Sequence, residues 1–246
     1  MAGRLAGKVI ILSGGTRGMG EAQVRGMVAE GASVLFGGRD RDAGETIQRE
    51  CGDKAIFVPL DVTKNEDWKS IVKEAMDRFG RIDGLVNNAG FGVSHRLADI
   101  SDEEWDHVIA VNQTGVFRGM REVIGPMLAS GGGSIVNVAS PAGVKAHVNL
   151  FAYSAAKAAA IGMSRAAAKE FAAQGIRVNV FIPGYFATRL LMESSKGQGL
   201  ERAAKLAPIG RAAQPVESVG AIVYLLSDES SYVTGTQITA DGGYTA

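Results

Sequence analysis

Tyr153 and Lys157 stand four residues apart, and Ser140 lies upstream of both. On a helix, residues at i and i+4 share a face, so the phenol and the ammonium would project together. A phenol of ordinary pKa near ~10 is a poor acid or base at neutral pH, but an adjacent ammonium stabilises the phenolate and lowers that value. The tyrosine then serves as a general acid towards a ketone and a general base towards an alcohol. The hydroxyl of Ser140 would hydrogen-bond the substrate oxygen as charge develops on it. Taken singly, these residues read equally well as a helix-surface pair and a loop serine, so their meaning depends on the elements that hold them.

Those elements alternate from end to end. Strands are predicted at Val9 to Ser13, Ser33 to Gly37, Ala55 to Pro59, Gly84 to Asn87, Ser134 to Ala139, Ile176 to Ile182 and Gln237 to Ala240. Most lack polar alternation, as strands covered on both faces should. Helices are predicted at Met19 to Glu30, Asp42 to Glu50, Asn65 to Phe79, Asp102 to Leu128, Leu150 to Ala173 and Pro215 to Leu226. Thr63 with Glu66, and Ser101 with Glu104, are spaced as capping boxes, and Pro215 suits a first helical turn. The alternation implies an α/β fold, a doubly wound parallel sheet of about seven strands with helices on both faces. With no linker or repeat, residues 1–246 read as a single nucleotide-binding and catalytic domain. Ser- and Gly-rich Glu193 to Gly199 reads as a mobile loop within a substrate lid around 186–212.

The first strand runs into a helix through Ser13-Gly14-Gly15-Thr16-Arg17-Gly18-Met19-Gly20. Glycines at 14, 18 and 20 let the backbone turn sharply and approach a pyrophosphate, with amides and the positive helix end facing the anion. The spacing is G-x-x-x-G-x-G, not the G-x-G-x-x-G fingerprint.

This loop resembles that of the short-chain dehydrogenase/reductase family, and further motifs follow in family order over essentially the whole chain. The resemblance implies a Rossmann-type fold and an adenine contact at Asp61-Val62. It places the fourth-strand signature at Asn87-Asn88-Ala89-Gly90 and the catalytic set at Asn112, Ser140, Tyr153 and Lys157. It further implies that Asn112 holds a water beside the lysine and that Tyr153 and Lys157 contact the nucleotide, the lysine at its ribose. By the same resemblance Pro183, Gly184 and Thr188 would contact the cofactor, the Thr at the nicotinamide carboxamide, and Asp241-Gly242-Gly243 closes the pattern. Three departures stand out: Ser13 replaces a threonine, Ala139 a frequent serine, and Pro141 follows Ser140 directly.

Coenzyme choice divides a simple rule from a closer reading. Asp40, about 20 residues past the glycine loop, would bind a ribose 2′-hydroxyl and imply NAD. The first residue beyond the second strand, however, is Gly38, and Asp40 reads as the N-cap of the helix at Asp42. Arg39 and Arg17 could then clamp a 2′-phosphate, which implies NADP rather than NAD; two solvated arginines are the alternative.

Composition narrows the partners. The 246 residues balance 26 basic against 26 acidic side chains, without the basic excess that nucleic acid demands. One cysteine, Cys51, excludes an intramolecular disulfide, and with no signal-peptide core or membrane-length apolar run the expectation is a cytoplasmic protein free of membranes. His95, His107 and His147 lack metal-ligand spacing, so no metal is expected; His147 either lines the pocket or faces solvent. Asp102-Glu103-Glu104 reads as a helix N-terminus rather than paired catalytic carboxylates. The alanine-rich stretch 155–173 is packing surface, and by the resemblance a subunit interface, so a homotetramer is expected, with burial inside one chain as the alternative. Tyr185, Phe186, Leu190 and Leu191 offer apolar lid surface, which favours a lipophilic ketone, cyclic alcohol or steroid as the small-molecule substrate. The rival functions are a 3-oxoacyl-carrier-protein reductase, which shares these residues, and a non-catalytic dinucleotide sensor, which has no need of Tyr153, Lys157 and Ser140.

Overall fold

Runs of Val, Ile and Leu without polar alternation demand cover on both sides of a sheet, and helices supply it here. The computed structural model describes residues 3–145, 147–194 and 197–246. Along the chain come β1 (Val9–Ser13), α1 (Gly18–Ala29), β2 (Ser33–Gly38), α2 (Arg41–Cys51), β3 (Ala55–Pro59), α3 (Asn65–Phe79) and β4 (Gly84–Asn87). Then follow α4 (Asp102–Ile109), α5 (Gly115–Ala129), β5 (Gly133–Val138), α6 (Phe151–Phe171), β6 (Ile176–Pro183), α7 (Arg189–Ser194), α8 (Gly199–Leu206), α9 (Val219–Leu226) and β7 (Gln237–Ala240). The strands form one 7-stranded sheet in the order β3-β2-β1-β4-β5-β6-β7, and every pairing is parallel.

Successive strand residues point to opposite faces, and each face has its own core. Ile10, Leu12, Val34, Phe36 and Val136 pack with Val24 and Met27 of α1 and with Ile222 and Leu226 of α9. Val9, Ile11, Leu35, Leu85 and Ile135 pack with Trp68 and Ile71 of α3 and with Val116, Val123 and Met127 of α5. Because β1 lies between β2 and β4, the chain leaving β1 and the chain leaving β4 diverge and open a crevice at the carboxyl ends of the strands.

Several local expectations are corrected. The helix expected over Asp102 to Leu128 is divided by a π turn at Ala110–Thr114. The capping box expected from Thr63 and Glu66 is absent: Lys64 is the N-cap of α3, and the Thr63 hydroxyl donates to Asp61 at 2.7 Å. Ser101 and Glu104 do form theirs. Glu193 to Gly199 is not simply a loop, since α7 extends to Ser194 and α8 starts at Gly199; Ser195 and Lys196 lie outside the described residues. Pro215 opens a 3-10 turn, Pro215–Ser218, that leads into α9.

A buried polar chain ties the middle of the sheet to α6. The Asn87 side-chain amide donates to Asn137 Oδ1 at 2.8 Å, and the Asn137 amide donates to Ser164 Oγ of α6 at 2.8 Å. Ser164 in turn donates to the Ala160 carbonyl at 2.7 Å. Removing the middle member would leave the Asn87 amide with only a 3.4 Å contact to the Val116 carbonyl and the Ser164 hydroxyl without its donor, both inside the core. Asn137→Ala is therefore expected to lower unfolding free energy by about 2 to 4 kcal/mol in urea titrations; a loss under ~1 kcal/mol would contradict this account.

Candidate active site

The crevice holds a cleft of about 290 Å³ around the turn from β1 into α1. Gly14, Thr16, Arg17, Gly18, Met19 and Gly20 form one wall, and Gly38, Arg39 and Asp40 form the end beyond β2. Asp61 and Val62 after β3, Asn88, Ala89 and Gly90 after β4, and Thr188 after β6 complete the expected residues. Close backbone approach explains Gly20, where a Cβ would stand 1.9 Å from the Gly14 carbonyl oxygen. The turn is pinned from β4: the Asn88 amide donates to the Ser13 and Gly14 carbonyls at 3.3 and 3.0 Å. Ser13 keeps the hydroxyl its position needs, accepting from the Ala89 N–H at 3.2 Å. This cradle of glycine backbone at a helix N-terminus suits the pyrophosphate of a dinucleotide.

Asp40 is the N-cap of α2, accepting from the Ala43 N–H at 3.1 Å. Burial acts to raise the Asp61 carboxyl, but hydrogen bonds from Thr63 and the nearby charges of Arg39 and Lys64 hold it below its ordinary value. Gly38 ends β2 rather than following it, and a Cβ there would meet Thr16 Cγ2 at 2.7 Å and Oγ1 at 2.8 Å. An acid at 38 would thus have to displace Thr16, which the strand register alone does not reveal.

Asn112, Ser140, Tyr153 and Lys157 are not part of the cleft wall, but Gly90, which is, stands against Asn112 and Lys157. Ser140 caps the 3-10 turn Pro141–Gly143, its Oγ accepting from the Ala142 N–H at 3.2 Å. Tyr153 lies in the first turn of α6, with Lys157 one turn on; the ammonium is 5.6 Å from the tyrosine ring centroid. Lys157 is buried and donates to the Val138 carbonyl at 2.9 Å, and burial pushes its pKa down to about 8. Burial also raises the Tyr153 phenol, against the lowering effect of its hydrogen bond with Ser140. The net direction is upward, because the desolvation of the phenol outweighs that bond.

Asn112 lies in the π turn, fully buried. Its amide donates to the Phe91 and Val108 carbonyls at 2.9 and 3.0 Å, and its Oδ1 accepts from the Phe91 N–H at 3.3 Å. Gly90 separates it from the lysine: a Cβ there would stand 2.8 Å from Asn112 Oδ1 and 3.1 Å from Lys157 Nζ. Only a residue without a side chain lets the two converge.

Some expected residues fall elsewhere. Pro183 and Gly184 lie outside the cleft wall, and a Cβ at Gly184 would be 2.5 Å from Asp241 Cα, so this glycine lets the ends of β6 and β7 meet. Phe186 is no lid surface; it is buried and packs edge-on against Phe181 at 6.5 Å. Exposed apolar surface comes instead from Val144, Val148, Phe151 and Leu206. The side chain of Leu190 lies outside the described residues. Four cleft residues were not anticipated: Leu60, Phe91, Val111 and Arg189. Each directly adjoins an expected position: Leu60 precedes Asp61, Phe91 follows Gly90, Val111 precedes Asn112 and Arg189 follows Thr188. Among the described residues, no cluster of His, Cys, Asp and Glu could hold a metal, and no helix is long and apolar enough to cross a membrane.

Comparison with known proteins places this geometry. Residues 14–245 match a family model described as enoyl-(acyl carrier protein) reductase. The chain is 42% identical over 246 residues to a 3-alpha-(or 20-beta)-hydroxysteroid dehydrogenase of Mycobacterium tuberculosis, covering 100% of this chain and 92% of that one. It is 40% identical over 246 residues to a 2,5-dichloro-2,5-cyclohexadiene-1,4-diol dehydrogenase of Sphingobium indicum, covering 98% of each. A trans-4-hydroxycyclohexanecarboxylate dehydrogenase of Sinomonas cyclohexanicum is 37% identical over 252 residues, covering 99% of this chain and 95% of that one.

The buried lysine has a consequence for stability. Its folded pKa of about 8 lies below the ordinary 10.5, so between those values the unfolded chain binds more protons and stability rises with pH. Below that window both states are protonated and the burial penalty is complete. In cofactor-free protein, the urea midpoint of wild type relative to Lys157→Met should climb between about pH 8 and pH 10. A flat difference over that window would contradict the burial of a charged group here.

Proposed function

The chain belongs to the short-chain dehydrogenase/reductase family and is an oxidoreductase acting on CH–OH groups, and from that premise we propose that it moves a hydride between NADP and an alicyclic secondary alcohol or its ketone. The observation that carries the reading is the meeting of Tyr153, Ser140 and the buried Lys157 behind Gly90 of the cleft wall. A bound nicotinamide would supply or accept the hydride. Burial keeps the Tyr153 phenol protonated at neutral pH, the form that donates to a carbonyl oxygen. Ser140 holds that oxygen as charge develops, and the Lys157 ammonium stabilises the phenolate left behind and holds the ribose. Asn112, fixed between Phe91 and Val108, supports the relay that returns the proton.

Coenzyme preference rests on the end of the cleft beyond β2. Arg17 and Arg39 both line it, while the Asp40 carboxylate is engaged by the Ala43 N–H. Two guanidiniums around a phosphate make charge-assisted bonds that a 2′-hydroxyl cannot match. The exposed apolar Val144, Val148 and Phe151 support a lipophilic, ring-bearing substrate. A homotetramer is supported by Ala158, Gly162 and Ala166, which lie exposed one turn apart on α6 and would allow close helix approach between subunits.

Tyr153→Phe is expected to retain coenzyme binding while turnover falls by about two to four decades, measured by nicotinamide absorbance. Turnover within ~3-fold of wild type would remove the assigned proton donor. Arg39→Ala should weaken NADPH binding about tenfold or more, equivalent to about 1.5 to 3 kcal/mol, and barely alter NADH. Wild-type kcat/KM higher with NADH than with NADPH would reverse the coenzyme assignment.

A further inference from the structure

Beyond the proton-transfer residues, the ends of β5, β6 and β7 bring together a group of side chains that the reaction leaves unused. Lys145 and His147 lie on the segment between Ser140 and α6, Tyr185 follows β6, Arg202 projects from α8, and Tyr244 follows β7. The Lys145 ammonium donates to the Tyr244 carbonyl at 3.1 Å and lies 4.7 Å from that ring's centroid. Tyr244 meets Tyr185 edge-on at 5.2 Å and His147 at 5.6 Å. Burial and the neighbouring Tyr244 push the Tyr185 phenol up to about 12, against the charge of Arg202.

The charge of this group is one-sided. Neither Lys145 nor Arg202 has a carboxylate partner among the described residues. The nearby Asp241 turns its oxygens to its own loop, accepting from the Gly243 N–H, the Thr245 N–H and the Thr245 hydroxyl at 2.9, 2.9 and 2.5 Å. His147 is held below its ordinary pKa by burial and by the charges of Lys145 and Arg202. Its Nε2 is buried with no hydrogen-bond partner, a cost that a ligand could relieve. Two cations, an unpartnered imidazole nitrogen and two phenols thus face the same region without an acid to balance them.

That region lies on the substrate side of the reacting centre. The nucleotide cleft is lined mainly by the ends of β1, β2, β3 and β4, with Thr188 and Arg189 after β6, whereas this group comes from the segment that Ser140 begins, from α8 and from the ends of β6 and β7. We propose that Lys145, His147 and Arg202 form a carboxylate-binding subsite at the far end of the substrate cleft, so that the alcohol bears an acid group away from its reacting carbon. The inference rests on the alcohol-dehydrogenase reading above. Tyr244 is a positioning residue in this scheme, holding Lys145 and His147 against Tyr185.

The test uses NADP-saturated protein, so that the anion site at Arg17 and Arg39 is already engaged. Calorimetric titration compares cyclohexanecarboxylate with its uncharged isostere cyclohexanecarboxamide, neither of which can be oxidised at a carbinol. The carboxylate should bind at least about tenfold more tightly, and Lys145→Ala and Arg202→Ala should each reduce that preference while the thermal midpoint stays unchanged. Equal binding of the two compounds, no carboxylate binding at millimolar concentration, or a preference that survives in the double variant would each overturn the subsite. Turnover of cyclohexanol and of 4-hydroxycyclohexanecarboxylate is followed separately: absence of turnover of both would strike at the alcohol reading and leave the binding result to decide the subsite.

Discussion

Burying an ammonium without a carboxylate partner is the constraint around which this site is organised. Lys157 is almost fully enclosed and gives its hydrogen bond to the last carbonyl of β5. A charge in such surroundings is costly unless dipoles are arranged to receive it. The neighbours comply: Gly90 is bare so that Asn112 Oδ1 and Lys157 Nζ can both approach it. Gly143, where a Cβ would stand 2.9 Å from the Lys157 backbone carbon, lets the Ser140 turn lie directly on α6. Even the interruption of the helix before β5 belongs to this arrangement, because the π turn carries Asn112 inward with its amide paired to Phe91 and Val108.

The sheet provides the rigidity that such a placement needs. Each face is covered by its own apolar core, and the strand ends that carry the site are joined laterally by side chains as well as backbone. Asn88 binds the chain leaving β4 to the turn leaving β1, and Asn137 binds β5 to both β4 and α6. The helix bearing Tyr153 and Lys157 is therefore fastened to the strands beside the nucleotide cleft. Side chains on a fastened helix keep their mutual orientation.

The region beyond Ser140 is built differently, from loops and short helices. Its contacts are aromatic and ionic groups brought from separated segments: the stretch after Ser140, the start of the lid, α8 and the last residues of the chain. Asp241 folds the final loop onto itself and so presents Tyr244. Sites assembled this way can vary in specificity while the chemistry beside them stays constant.

What could be read from the residues alone follows from short-range physics. Apolar runs without alternation announced the strands of a covered parallel sheet, the glycine spacing before α1 announced an anion cradle, and the four-residue interval from Tyr153 to Lys157 placed both on one helix face. Asp40 could be read as a helix cap for the same reason, since the N–H that donates to it lies only three residues on. Tertiary structure decided what depends on packing between distant segments. It divided the helix around Asn112, drew Phe186 into the core, filled the space beside Gly38 with Thr16, and pushed the Tyr153 phenol upward. It also gathered Lys145, His147, Arg202 and Tyr244 into one group, although they are scattered over the last hundred or so residues. Local periodicity determines elements and their faces, but burial, close approach and electrostatic environment are properties of the folded neighbourhood.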